Sequence, residues 1–211
     1  MSINQNDLRV IKTKRNLREA FIRLLLQKRY DAISIQDIVT EAQTARVTFY
    51  RHYKDKEQLL VDCVNVNFKE LVERMSQITT EDVFNHRYQA LLLFYKHIQE
   101  KETLYKILFS SWGTRVVIEQ FRKLFAEMSK ENIAEQFHVD KWRVPIPMDI
   151  VAYHFASAQI GTAIWWLENN QPYPPEYMAK VSLWLTLAGG LRLFGEDEFY
   201  IPPPSIPEKP E

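Results

Sequence analysis

The chain of 211 residues predicts an all-α fold on three observations. Apolar residues recur at i, i+3 and i+4 along most of its length, prolines cluster between such runs, and no useful stretch alternates with the period of two of a half-buried strand. The length suffices for one small module and one larger one. The expected division is a three-helix module with a helix-turn-helix over residues 1–60, a larger α-helical module over 61–201, and a Pro-rich tail over 202–211 that holds five of the ten prolines and is expected to be extended or disordered.

In the small module, Leu17, Ala20, Phe21, Leu24 and Leu25 place one apolar stripe on a first helix of about Asp7 to Lys28. Tyr30, Asp31 and Ala32 lead on to Ser34. Ser34 stands three residues ahead of Asp37, the capping-box spacing in which each side chain satisfies an orphan donor at a helix start. Ile35, Ile38 and Val39 then give a short amphipathic segment that ends near Ala42, and Gln43 and Thr44 make the turn. The next segment, Ala45 to His52, is too short to stand alone, so it must be held by its neighbours and show its polar side outward. Phe49 and Tyr53 are expected to supply the inward packing. A helix from Lys56 to Gln77, with Leu59, Leu60, Cys63, Val64 and Leu71 on its apolar side, then links the two modules.

Past residue 81 the composition changes, and 21 of the 27 aromatic residues lie between Phe84 and Tyr200, which points to a large core or a cavity. Helices are expected over Val83–Glu100, Thr103–Ser110, Thr114–Phe137, Met148–Asn169 and Pro175–Phe194. Pro145 and Pro147 precede the fourth of these, and Pro172, Pro174 and Pro175 the fifth, as prolines do at helix starts. Ile150–Leu167 and Val181–Leu191 lack a polar face, so something must cover them on every side. A second copy of the chain is the economical cover, and Ala156, Gly161, Ala188, Gly189 and Gly190 would let backbones approach. Ile150–Leu167 has no formal charge, yet it contains His154, Ser157, Gln159 and Thr162, so burial in protein is expected rather than a membrane span.

Formal charge is zero overall but divided: residues 1–60 hold 12 Lys+Arg against 7 Asp+Glu, and residues 61–211 hold 15 against 20. A local positive excess suits phosphate binding, which dominates sequence-independent DNA affinity. The lone Cys63 excludes an internal disulfide, and the opening MSINQNDLRVIKTKR has no apolar run of secretory type, so a cytoplasmic location is expected. Catalytic signatures are missing. The five glycines form no phosphate loop, the five histidines show no i, i+4 pairing with acidic neighbours, and Ser110-Ser111 lies in no nucleophile elbow. The chain is therefore expected to be no enzyme and to take no metal and no cofactor.

Ala42, Gln43, Thr44, Ala45, Arg46, Val47, Thr48, Phe49, Tyr50, Arg51, His52 and Tyr53, followed by Lys56, Leu59 and Leu60, resemble the helix-turn-helix of the tetracycline-repressor (TetR) family of transcriptional regulators, over Lys14 to Leu60. The chain departs from that pattern where Gln43 replaces the usual turn glycine and Val47 a small residue. On the residues themselves, Arg46 can donate two hydrogen bonds to a guanine edge, Thr48 can meet a base or a phosphate, and Ser34 and Gln36 can reach phosphates. The resemblance implies that Arg46, Val47, Thr48, Tyr50 and His52 face DNA and that Lys56 meets a phosphate. With Ser34, Gln36 and Arg51 these make up the candidate DNA-binding set. Lys12, Lys14 and Arg15 read either as a mobile arm or as solvated charge.

For the larger module the candidate ligand-binding set is Tyr105, Phe109, Trp112, Tyr153, His154, Gln159, Trp165 and Trp166, flat apolar surface with a few polar tips that suits an apolar or aromatic effector. The adjacent Trp pair must point to two faces, so at least one is expected to serve the core or the dimer. The resemblance implies a homodimer joined through the last two long helices as a four-helix bundle. The expected function is a ligand-responsive repressor that binds a palindromic double-stranded DNA operator. The alternative is a protein of the same fold, an interaction protein or co-activator, whose C-terminal module binds another protein.

Overall fold

The computed structural model describes residues 8–79, 83–109, 115–136, 146–193 and 205, the side chains of 83–84, 129–136 and 187–193 excepted. The described residues form helices α1 (Leu8–Leu25), α2 (Ile35–Glu41), α3 (Arg46–His52), α4 (Lys56–Met75), α5 (Val83–Glu100), α6 (Glu102–Phe109), α7 (Arg115–Gln136), α8 (Met148–Glu168) and α9 (Pro175–Leu193), with a 3-10 turn at Tyr30–Ala32. They contain no strand. Lys12, Lys14 and Arg15 lie inside α1, so these basic residues ride on a helix and form no separate arm.

The chain divides into two compact units, Met1–Asn67 with Thr103–Ile118, and Phe68–Glu102 with Glu119–Glu211. The division falls inside α4, which runs unbroken through it. It also gives most of α6 to the first unit.

In the first unit α1 packs on α2 and α2 on α3. Leu17, Phe21, Ile38, Phe49 and Leu59 are wholly buried, each contributing roughly 1.5–3 kcal/mol of transfer free energy. Arg23 on α1 donates from Nε to Glu41 Oε1 on α2 at 2.6 Å. Arg18 Nη1 on α1 donates to Asp62 Oδ2 on α4 at 2.9 Å.

In the second unit α5 packs on α9, and α8 on α9. A run of rings crosses this core edge to face: Phe68 to Phe125 at 5.2 Å, Phe125 to Phe94 at 4.9 Å, and Tyr95 to Trp166 at 5.3 Å between centroids. Burial pushes the Tyr95 phenol up to about 12, although its hydroxyl lies 2.7 Å from Ser182 Oγ on α9. Arg74 on α4 grips Glu100 on α5 with both guanidinium nitrogens, at 2.6 and 3.0 Å. α8 ends where Asn170 and Gln171 turn left-handed, with φ 57 and 53. Gln171 N–H returns to the Trp166 carbonyl at 2.8 Å and Asn170 N–H to Leu167 at 3.2 Å, closing the last turn before Pro172. No helix among the described residues is long and apolar enough to cross a membrane.

Candidate nucleic-acid interface

The interface is built on two short helices and the turn between them. Asp37 Oδ2 accepts from the Ser34 backbone N–H at 2.8 Å while Ser34 Oγ accepts from the Asp37 N–H at 3.1 Å, a complete capping box. The Ser34 backbone N–H, then its hydroxyl and Lys28, hold the Asp37 carboxyl down to about 2. At the other end of α2, Gln43 N–H bonds the Thr40 carbonyl at 3.1 Å and Thr44 N–H the Val39 carbonyl at 2.9 Å. This closure requires a left-handed residue at position 43, and Gln43 adopts φ 51. The missing turn glycine therefore leaves the turn type intact, because glutamine takes up the strained conformation.

Within α3 only Phe49 is fully buried, its ring 5.8 Å from Tyr53. The opposite face is open: Arg46 and Arg51 are exposed, and Val47 and Tyr50 are 61% and 48% exposed. Thr48 and His52 are half-buried at its sides. Arg46 leans on Tyr50 one turn along, donating to the phenol oxygen at 3.3 Å with its guanidinium carbon 5.7 Å from the ring centroid. Burial, then the Lys14 and Arg51 charges, lowers the His52 pKa. Ser34, the N-cap of α2, and Gln36 in its first turn are exposed, with Gln36 Nε2 donating to Thr40 Oγ1 at 3.2 Å.

A buttress behind α3 fixes it to the helices on either side. Tyr53 donates its hydroxyl to Asp62 Oδ2 at 2.6 Å, the oxygen that Arg18 also reaches, and Lys14 lies 5.7 Å from the Tyr53 ring centroid. Burial and the adjacent Asp62 push the Tyr53 phenol well above its usual range. α4 then starts on its own cap, with Gln58 N–H donating to Asp55 Oδ1 at 2.8 Å and Lys54 N–H to Gln58 Oε1 at 2.6 Å. Sequence reasoning missed Asp62, Asp55 and Gln58. The D-x-x-Q spacing signals the cap, whereas nothing local marks Asp62. Lys56 is already engaged: its Nζ donates to the Tyr30 and Ile33 carbonyls, each at 2.9 Å. Cys63 is buried and its thiol pushed up to about 12 by burial, which makes it unreactive.

The aromatic candidates of the larger module fall in both units. Tyr105 and Phe109 are buried on α6, their rings 5.4 Å apart, in the first unit. Tyr153, His154, Gln159, Trp165 and Trp166 lie on α8 in the second. Trp112 falls outside the described residues, as do the tail apart from Ser205 and the side chains of Ala188 and its glycine neighbours. Trp166 is wholly buried and donates from Nε1 to the Tyr173 carbonyl at 2.7 Å. Trp165, beside it, is 46% exposed, the opposed pair the sequence implies. Tyr153 and His154 are exposed, the former donating to Glu119 Oε2 at 2.9 Å. Gln159 donates to Thr186 at 3.2 Å, and its Oε1 is buried with no partner among the described residues. No group of three His, Cys, Asp or Glu side chains among the described residues could hold a metal ion.

Comparisons with known proteins agree with this geometry. Residues 17–63 match the model for bacterial regulatory proteins of the tetR family, and residues 85–185 match a transcriptional regulator C-terminal region of TetR type. An uncharacterised HTH-type transcriptional regulator of Bacillus subtilis (strain 168), YxbF, is 25% identical over 178 residues, which are 83% of this chain and 45% of that protein. The chain thus spans less than half the length of this curated relative. Among solved structures, a TetR transcriptional regulator from Streptococcus agalactiae 2603V is 28% identical, with a TM-score of 0.65 over 85% of this chain and 96% of that one. RolR, crystallised with its ligand resorcinol, shares the fold at 14% identity, with a TM-score of 0.62 over 91% of this chain and 96% of that one. With one model over the reading helices and another over most of the second unit, the chain belongs to the TetR family of bacterial regulatory proteins.

Proposed function

We propose that the chain is a ligand-responsive transcriptional repressor that binds a palindromic operator as a homodimer in the cytoplasm, with no catalytic activity of its own. The observation that carries this is α3: one residue, Phe49, anchors it while Arg46, Val47, Tyr50 and Arg51 are left exposed on a module with an excess of basic residues. Such a face suits the major groove, with Arg46 at a base edge and Ser34, Gln36, Tyr50 and Arg51 at phosphates. Thr48 serves a base or a phosphate, and Val47 and His52 make close contacts.

Dimerisation is supported by Ile150 and Trp165 on α8 and Leu185 on α9, which are 60%, 46% and 58% exposed on helices without a polar face. A Cβ at Gly161 on α8 would meet nothing within 4 Å among the described residues. Two-fold pairing sets the reading helices about one DNA turn, roughly 34 Å, or more apart and matches them to a palindrome. A Leu185→Glu variant is expected to sediment as a monomer with its helicity retained. Unchanged association would remove these helices from the interface.

The effector is apolar or aromatic, and it acts by favouring the arrangement that cannot bind DNA; a coupling of about 1–3 kcal/mol lowers operator affinity some five- to 150-fold. RolR, a fold relative with resorcinol bound, supports that ligand class. Selection of duplexes from a random pool tests the whole reading. Enrichment of an inverted repeat supports it, and no enrichment together with capture of a protein partner by the second unit would favour the interaction-protein alternative.

A further inference from the structure

The Lys56 ammonium is bound on three sides inside the first unit. Its Nζ donates to the Tyr30 carbonyl and to the Ile33 carbonyl, each at 2.9 Å, and lies 4.3 Å from the Tyr30 ring centroid. An ammonium has three N–H donors, so two are taken up by main-chain oxygens and the charge rests on a π face. Tyr30 O already accepts the Ile33 N–H at 3.1 Å, so Lys56 ties down both ends of the 3-10 turn at once. That turn is the segment that leads into the Ser34 cap of α2, and α2 in turn packs on α3. Lys56 itself is the first residue of α4. Turning its ammonium out to a phosphate would strip a donor from both carbonyls and lift the charge off the ring.

We propose that Lys56 is a positioning residue, a clamp that holds the Tyr30–Ile33 segment against the first turn of α4 and thereby sets the pose of α2 and the reading helix, and that it does not neutralise a DNA phosphate. The proposal rests on the DNA-binding reading and departs from the phosphate role that family resemblance gives this lysine.

The test uses the full chain with Lys56→Met, Tyr30→Leu and the double variant, measured in two ways. Melting temperature needs no DNA: both single variants should lower Tm, and the double should fall by less than their sum, because each removes one side of the same contact. Additive losses would overturn the clamp. Binding is then titrated on a selected operator duplex and a scrambled one, well below every Tm, across a salt series. The clamp predicts that Lys56→Met lowers the ratio of operator to scrambled affinity while the slope of log affinity against log salt stays unchanged. A phosphate contact predicts equal losses on both duplexes and a slope shallower by about 0.9, which would overturn the proposal. An unchanged ratio and slope would reduce Lys56 to a contributor to stability alone and overturn its positioning role. If wild type prefers no sequence at all, the DNA-binding reading fails, and the melting cycle still decides the clamp.

Discussion

Gln43→Gly should strengthen the helix-turn-helix. Gln43 sits at φ 51 with its side chain exposed, held there by the two hydrogen bonds that close α2. A residue with a Cβ in the left-handed region costs roughly 1–2 kcal/mol relative to the right-handed one. Glycine removes that strain but has more freedom to lose on folding, about 0.5–1 kcal/mol. The difference leaves a net gain of about 0.5–1 kcal/mol, since no buried surface is given up. The Thr44 N–H, bonded to the Val39 carbonyl at 2.9 Å, reports the opening of this turn directly. Its hydrogen exchange should slow roughly two- to fivefold in the glycine variant, in the regime where exchange follows local opening. Gln43→Val should speed it, because a β-branched residue fits φ > 0 worse still. Exchange that is unchanged or faster with glycine would show that the turn carries no such strain.

Removing the shared acceptor behind α3, by Asp62→Ala, leaves Arg18 and the Tyr53 hydroxyl facing an empty site and should cost about 2–3 kcal/mol in urea titrations, with Tyr53→Phe costing roughly 1. The second unit should weaken in mild acid. His97 is wholly buried, and burial first, then the Lys101 charge, lowers its pKa to about 4. The unfolded imidazole takes up its proton near pH 6.5 and the folded one only near 4, so its contribution is present above 6.5 and is lost as pH falls between these values, up to about 3 kcal/mol. Urea midpoints at pH 7 and pH 4.5 measure the loss, and His97→Gln should flatten it.

Much of the helical layout is legible in the sequence because it is locally encoded. The stripe of Leu17, Ala20, Phe21, Leu24 and Leu25 is the buried face of α1, and the Ser34 and Asp37 spacing is the cap of α2. The turn at Gln43 is equally local, although its residue type disguises it. What stays hidden depends on residues far apart in the chain. Asp62 becomes a key acceptor only because Arg18, 44 residues earlier, arrives beside it. The same holds for Lys56, whose partners lie 26 and 23 residues before it. The aromatic wealth of the larger module is ambiguous for a physical reason. A ring such as Trp166 packs the core as readily as it lines a cavity, and composition does not distinguish the two. The α4 boundary at Asn67 is invisible in sequence because the helix does not break there.

The proposed reading of base edges by the exposed face of α3 runs through Arg46, an exposed guanidinium resting on Tyr50. Titrating wild type and Arg46→Ala at one salt concentration on a selected operator and on a scrambled duplex tests it most directly. A base-reading Arg46 predicts a loss of about 1–3 kcal/mol on the operator, little change on the scrambled duplex, and relaxed preference at one base pair of each half-site. Equal losses on both duplexes would contradict it and leave Arg46 as a phosphate contact.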